Sequence, residues 1–225
     1  STTGSVNAGT LTATTGDASV TAKKDVTIGT LTAEAGGATI EAIDGKLDVT
    51  TLNAKEHAEL TSGSDMVLTE AHANTLTANA GGKLTATTLG VTGAAGLTSG
   101  GAMEVSEATV GSVAANAGST LHVKKLTSTG EATLTSKDEA KLDDVTAGTL
   151  AAESTAGSVN AGTLTATTGD AKVKAKTDAT IGTLKAEAGG ATIEAMDGAL
   201  DVTTLNAKSL TAKAGTTLSA KTLDV

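Results

Sequence analysis

The feature that most limits what this chain can fold into is that it repeats itself. GSVNAGTLTATTGDA spans Gly4 to Ala18 and returns unchanged from Gly157 to Ala171. Around it, residues 4–55 and 157–208 agree at 45 of 52 positions. Five of the seven differences exchange small or polar residues: Ser19/Lys172, Thr21/Lys174, Lys24/Thr177, Thr32/Lys185 and Lys46/Ala199. Free exchange of Thr with Lys marks those positions as outward and solvated. Only Val26/Ala179 and Ile43/Met196 touch letters suited to a core.

A shorter unit lies beneath the long one. Segments starting at Leu11, Leu31, Leu76, Leu126 and Leu184 share L-x-A-x-x-G-x-(A)-x-V/L-x-A, with weaker copies at Leu52, Leu89, Val113, Leu150, Leu164 and Leu205. From Leu11 to Leu164 the steps are 20, 21, 24, 13, 24, 13, 24 and 14, an average of about 19. The alternation of 13 and 24 has two explanations: short and long coils alternate, or a corner is misplaced.

Each unit holds short runs of period 2, such as Leu31-Thr32-Ala33 and Thr39-Ile40-Glu41-Ala42. That period puts Leu, Ile and Ala inward and Thr, Glu and Lys outward. Runs of three to five residues cannot bury a face alone. Gly36-Gly37, Asp44-Gly45, Gly81-Gly82 and Gly189-Gly190 separate them and read as corners whose glycines supply positive φ. Thr and Val favour strand, and no 3.6-residue period is present. The pattern predicts an all-β chain, a single-stranded parallel β-helix (β-solenoid) of about 19 residues per coil and roughly 11–12 coils, continuous over residues 1–225. At a strand spacing of about 4.8 Å the rod would be roughly 50–55 Å long.

Composition fits that shape. The chain has no Phe, Tyr, Trp, Pro, Cys, Arg or Gln. A narrow coil encloses one or two side chains, so a ring would overpack it. Proline is unsuited to strands that need every N–H in the ladder. The net charge of −9 argues against nucleic acid and other polyanions as partners. Without Cys there are no disulfides or thiolate metal sites. No apolar run approaches 18 residues, so this segment inserts no transmembrane helix. A chain that starts at Ser1 without Met or a signal peptide reads as a mature or excised segment of something longer.

Units of about 19 residues carrying L-x-A-x-x-G-x-A-x-V-x-A, as in Leu31 to Ala42, resemble the repeat region of filamentous haemagglutinin and related exoproteins of the two-partner secretion pathway. The resemblance covers nearly the whole chain and is one of pattern and composition. It implies a right-handed coil, a Gram-negative source, a surface or secreted location, and a role in adhesion or toxin delivery. The family's N-terminal secretion domain has no counterpart here. No binding residue carries over; only the role of shaft does.

Few residues suggest chemistry. Asp143 and Asp144 are adjacent, with Glu139 near; neighbouring strand residues face opposite ways, so the pair reads as a turn. His57, His72 and His122 are the only histidines. His57 and His72 are close enough in sequence for neighbouring coils, but no third ligand is evident for zinc, and all three read as surface residues. The glycine pairs fit neither a calcium β-roll nor a phosphate loop. Met66, Met103 and Met196 read as core fillers. Thr10/Thr12, Thr30/Thr32, Thr75/Thr77, Thr133/Thr135 and Thr163/Thr165 bracket inward Leu or its equivalent and raise an ice-binding row as an alternative, opposed by Lys185, Asn53 and Gly90 at equivalent places. No catalytic, cofactor or metal site is expected. The leading expectation is a shaft segment that projects a binding or toxin tip, its receptor contacts lying elsewhere in the protein. A self-assembling fibre subunit, joined end to end, is the alternative, and an enzyme acting on polysaccharide comes after it.

Overall fold

In the computed structural model, which describes Ser1–Val225, the chain contains strands and no helix. It is a parallel β-solenoid of about twelve turns with roughly 19 residues per coil. Its contacts divide into two compact units, Ser1–Gly111 and Ser112–Val225.

The first unit holds β1 (Val6–Ala13), β2 (Ala18–Ala22), β3 (Val26–Ala33), β4 (Ala38–Ala42), β5 (Leu47–Ala54), β6 (His57–Ser62), β7 (Met66–Ala73), β8 (Thr75–Ala80), β9 (Leu84–Ser99) and the first part of β10 (Met103–Ala117). The second holds the rest of β10, then β11 (Leu121–Ser128), β12 (Glu131–Ser136), β13 (Ala140–Ala147), β14 (Thr149–Ser154), β15 (Val159–Ala166), β16 (Ala171–Ala175), β17 (Ala179–Ala186), β18 (Ala191–Ala195), β19 (Leu200–Ala207), β20 (Leu210–Ala214) and β21 (Leu218–Asp224). Within each unit strands pair in parallel with the strand two further on, as β1 with β3 and β13 with β15, except that β8 pairs with the second half of the long strand β9.

Each coil has three short walls. The eight-residue strands bend at their fourth residue, which drops out of the register: Gly9 between Ala8↔Ile28 and Thr10↔Thr30 is one case. Around the bend two residues in succession point outward, so one strand supplies two walls. The shorter strand after it supplies the third. Seven side chains per coil then point inward, for example Val26, Ile28, Leu31, Ala33, Ala38, Ile40 and Ala42, all buried. Stacking turns each position into a ladder such as Leu11-Leu31-Leu52.

Coil length is regular. In register the offsets run from 18 (Met66↔Leu84) to 21 (Val26↔Leu47). The 13 and 24 steps therefore came from a misplaced wall. Leu76, Val113 and Leu150 lie on the third wall and pair with Ala58, Ala132 and Ala171, while the places equivalent to Leu11 are held by Ala71 and Val145. The cause is packing. Along the second wall large and small alternate, Leu52↔Ala71↔Leu89, and along the third they alternate in opposite phase, Ala58↔Leu76↔Ala95. The second unit repeats the device with Ala132↔Leu150↔Ala171. A large side chain sits between two alanines, which fills a narrow interior without overpacking.

The corners also differ from expectation. No residue has a positive φ, glycines included. The glycines serve close approach instead. A Cβ on Gly182 would lie 2.6 Å from the carbonyl oxygen of Gly162 in the preceding coil. Coils stacked at strand spacing leave no room there.

Other outward and inward assignments hold with one exception. The exchanged positions 19/172, 21/174, 24/177, 32/185 and 46/199 are all outside the core, and Val26 and Ala179 are both inside it. Met66 and Met103 are buried. Ile43 is 44% exposed at a corner and Met196 half-exposed, so neither is a core residue.

Candidate functional site

Side chains at the corners bind coil to coil. Asp25 Oδ1 accepts the backbone N–H of Lys46 at 2.9 Å, and its duplicate Asp178 accepts that of Ala199 at 2.7 Å. Asp17 and Asp170 do the same for Gly37 and Gly190. Asp65 accepts the N–H of Lys83 at 2.9 Å. That bond is the main cause holding the Asp65 carboxyl below its usual range; partial burial opposes it, and the Lys46 and Lys83 ammonium groups add to it. A depressed carboxyl stabilises the fold above its unfolded value, about pH 4, and the contribution is lost as pH falls through the folded value. We therefore expect Asp65→Asn to lower the melting temperature at neutral pH, with the gap from the native chain closing as the buffer is taken from pH ~5 towards pH ~2.5. A gap that stays constant across that range would refute this role.

Buried serines are a second corner device, which the sequence reading did not single out. Ser62, Ser99, Ser128, Ser136 and Ser154 are the buried polar residues. The Ser62 hydroxyl donates to the Ser64 carbonyl and the Ser99 hydroxyl to that of Gly101, both at 3.0 Å. The Ser154 hydroxyl donates to the Asp138 carbonyl. Ser62 and Ser99 share a third-wall column with Ala42 and Ala80, and Ser136 and Ser154 one with Ala117 and Ala175, so only a hydroxyl that finds a carbonyl separates Ser from Ala there. Ser128 ends the second wall of its coil, in β11.

The residues singled out for chemistry are dispersed. Asp143 and Asp144 lie within strand β13, at its bend, rather than in a turn; both are exposed because the bend puts two residues outward in succession. His122 Nε2 is 3.0 Å from Asp143 Oδ2. Glu139 is exposed just before β13 and supplies its backbone carbonyl to the N–H of Leu121. His57 opens the third wall of its coil, with its ring over Gly37. His72 stands on a second wall, with Gly90 leaving room for its ring and Nε2 2.9 Å from Glu70 Oε1. His57 and His72 are thus on different walls. No group of three or more His, Asp or Glu side chains is placed to hold a metal ion.

The threonine pairs do not form one row. Thr10/Thr12 and Thr30/Thr32 stack on the second wall, then give way to Thr51/Asn53 and Glu70/His72. Thr75/Thr77 and Thr133/Thr135 belong to the third wall. Thr163/Thr165 stack on Thr183/Lys185. A trough along the first unit's second wall is lined by Thr32, Asn53, His72 and Gly90 and flanked by Glu34 and Lys55.

One outward column has an ordered charge pattern. Glu153, Lys174, Glu194 and Lys213 are in register on the third wall of the second unit. Lys174 Nζ lies 3.2 Å from Glu153, and Lys213 Nζ 3.0 Å from Glu194. The Thr21/Lys174 exchange between the duplicates thus placed a cation between two carboxylates. Each exposed pair contributes at most about 1 kcal/mol.

No protein-family model matches the chain, and comparison with curated proteins and with solved structures finds no match.

Proposed function

We propose that the chain is a segment of the structural shaft of a large extracellular adhesin or exoprotein of a Gram-negative bacterium, holding a receptor-binding or toxin-bearing portion away from the cell. The observation that supports this reading is where the duplicate blocks differ. Of seven changed positions, only Val26/Ala179 is in the core; the others are outward or at a corner. Outward chemistry drifts while coil geometry is kept, as suits a part whose task is spacing. Solenoids meet that task because stability is a sum over neighbouring coils.

The duplication supplies a test. Removing residues 56–208 from the parent protein joins Lys55 to Ser209, the bond Lys208 makes in the native chain, and deletes 153 residues, about eight coils. The shortened protein is expected to reach the cell surface and bind its receptor while presenting its tip closer to the membrane, as immuno-electron microscopy would measure. Loss of receptor binding by the shortened protein would place the function in the deleted coils. Polysaccharide cleavage that disappears with Asp143→Asn would make the chain an enzyme instead. Either result overturns the reading.

A further inference from the structure

The third wall of the second unit presents two outward columns side by side. One is Glu153, Lys174, Glu194 and Lys213, and the other is Ala151, Lys172, Thr192 and Thr211. The duplicate coil in the first unit has Thr21 and Ser19 where this wall has Lys174 and Lys172. Two of the seven differences between the blocks therefore put lysine on this one face. The corresponding column of the first unit, Thr21, Glu41, Thr61, Asn79 and Thr98, carries a single charge. The face runs along the side of the solenoid, so further coils at either end would leave it uncovered.

The order of charges is its own complement. Read in reverse, Glu-Lys-Glu-Lys becomes Lys-Glu-Lys-Glu. Set two such walls face to face, with a two-fold axis along the strands, and the coil orders run in opposite directions. Glu153 then stands against the partner's Lys213, and Lys174 against the partner's Glu194. The second column fits the same arrangement. Ala151 meets the partner's Thr211 and Lys172 meets the partner's Thr192, so no like charges are opposed.

We propose that this wall is a lateral contact surface for a second copy of the chain, packed antiparallel and held by two closed rings of alternating charge. Within one chain Lys174 already pairs with Glu153, and Lys213 with Glu194. Across the contact Lys174 gains the partner's Glu194, and Glu153 gains the partner's Lys213. Glu153, Lys174 and those two partner residues close one ring, and the two-fold axis generates the other. Each charge then has one opposite charge from its own chain and one from its partner. The contact is isologous, so this face alone joins two copies and no more. Four coils at about 4.8 Å and a five-residue strand at about 3.3 Å per residue make a face of roughly 300 Å². Standard complexes use about 800 Å² per partner, so the pairing is weak and depends on its charges. The inference rests on the register of the third wall and is independent of the shaft reading.

The chain has no cysteine, so single introduced cysteines report the register. Ala151→Cys and Thr211→Cys are outward changes at the two ends of the wall. Mixed at high concentration in low salt, they should be joined by a short bis-maleimide at least about fivefold faster than either variant is joined to itself, because like cysteines would lie three coils, about 14 Å, apart. The preference should disappear in about 0.5 M salt, which screens the charges. Lys174→Thr writes the duplicate coil's own residue and so keeps the fold, as circular dichroism would check; placed in both cysteine variants, it should abolish the preference. Lys174→Glu/Lys213→Glu and Glu153→Lys/Glu194→Lys each give a column of one sign. Neither should cross-link with its own kind, whereas the acidic column in one cysteine variant and the basic column in the other should cross-link again. No preference for the unlike cysteines, a preference that survives both salt and Lys174→Thr, or failure of the two opposite columns to pair would each overturn the proposal.

Discussion

Leu76→Ala is expected to destabilise the first unit by about 3 kcal/mol, a cost in the range for deleting a buried Leu with incomplete collapse of the void. Leu76 is 1% exposed and sits between Ala58 and Ala95. The variant would stack three alanines in a column, and neighbouring coils, fixed by their ladders, cannot close the space. The rescue is specific. Adding Ala71→Leu and Ala78→Leu converts the coil to the layout of its predecessor, which has Leu52, Ala58 and Leu60 at those places. The uniform columns Leu11-Leu31-Leu52 and Val20-Ile40-Leu60 show that this layout stacks on itself. The triple variant carries one Leu more and one Ala fewer than the native coil, so it should regain part of the loss and remain about 1–2 kcal/mol below the native chain, within the range for added core methylenes. Ala71→Leu alone should instead cost about 1–3 kcal/mol by overpacking between Leu52 and Leu89. Urea unfolding followed by circular dichroism measures all three. Equal stability of Leu76→Ala and the triple variant would refute the alternation of large and small as the packing rule, because non-additivity is its signature.

The same alternation explains how far the sequence could be read. Period-2 runs and recurring Leu were enough for a parallel solenoid, for the coil length and for the inward identity of Leu11, Leu31 and Leu52. They were not enough to assign walls. Leu76 begins an L-x-A run like Leu31 does, yet stands on the next wall, because Ala71 took the small place and Leu76 the large one. A single-sequence pattern records size at a position and not which wall the position belongs to. Ile43 was misread for a related reason: it follows the inward Ala42 at a corner, where alternation no longer applies. Asp143-Asp144 looked like a turn because two polar residues in succession break period 2; the bend within β13 breaks it too, without leaving the strand.

The contacts that join the coils were less legible because they are not concentrated. Asp143, His72 and His57 each have a local reason for their place, in an ion pair at a bend or a ring over a glycine. What links the coils is spread over many corners, as in Asp25 with Lys46 and Asp178 with Ala199. Such spacing, about twenty residues between carboxylate and amide, carries no motif that a reader of one sequence would recognise. The duplicate blocks do carry information, since six of the seven changed positions lie outside the core.

Gly29→Ala, which adds a methyl at the bend of β3, should be harmful, whereas Gly96→Ala, within β9, should be harmless or better. If corner glycines were needed for left-handed backbone, the cost would depend on φ, and neither residue has a positive φ. Space decides instead. A Cβ on Gly29 would lie 2.5 Å from the carbonyl oxygen of Gly9, a backbone atom pinned by Ala8↔Ile28 on one side and Thr10↔Thr30 on the other. Neither coil can yield without stretching ladder hydrogen bonds, so a loss of about 2–3 kcal/mol is expected, at the upper end for overpacking. On Gly96 the nearest atom to a Cβ is the Leu76 carbonyl oxygen at 3.9 Å, an ordinary contact. There the methyl restricts only the unfolded chain, and a gain of up to about 1 kcal/mol should follow. Thermal melts of the two variants against the native chain measure the difference. Opposite signs are the result that close stacking requires, and a similar loss at both positions would return the glycines to a conformational role.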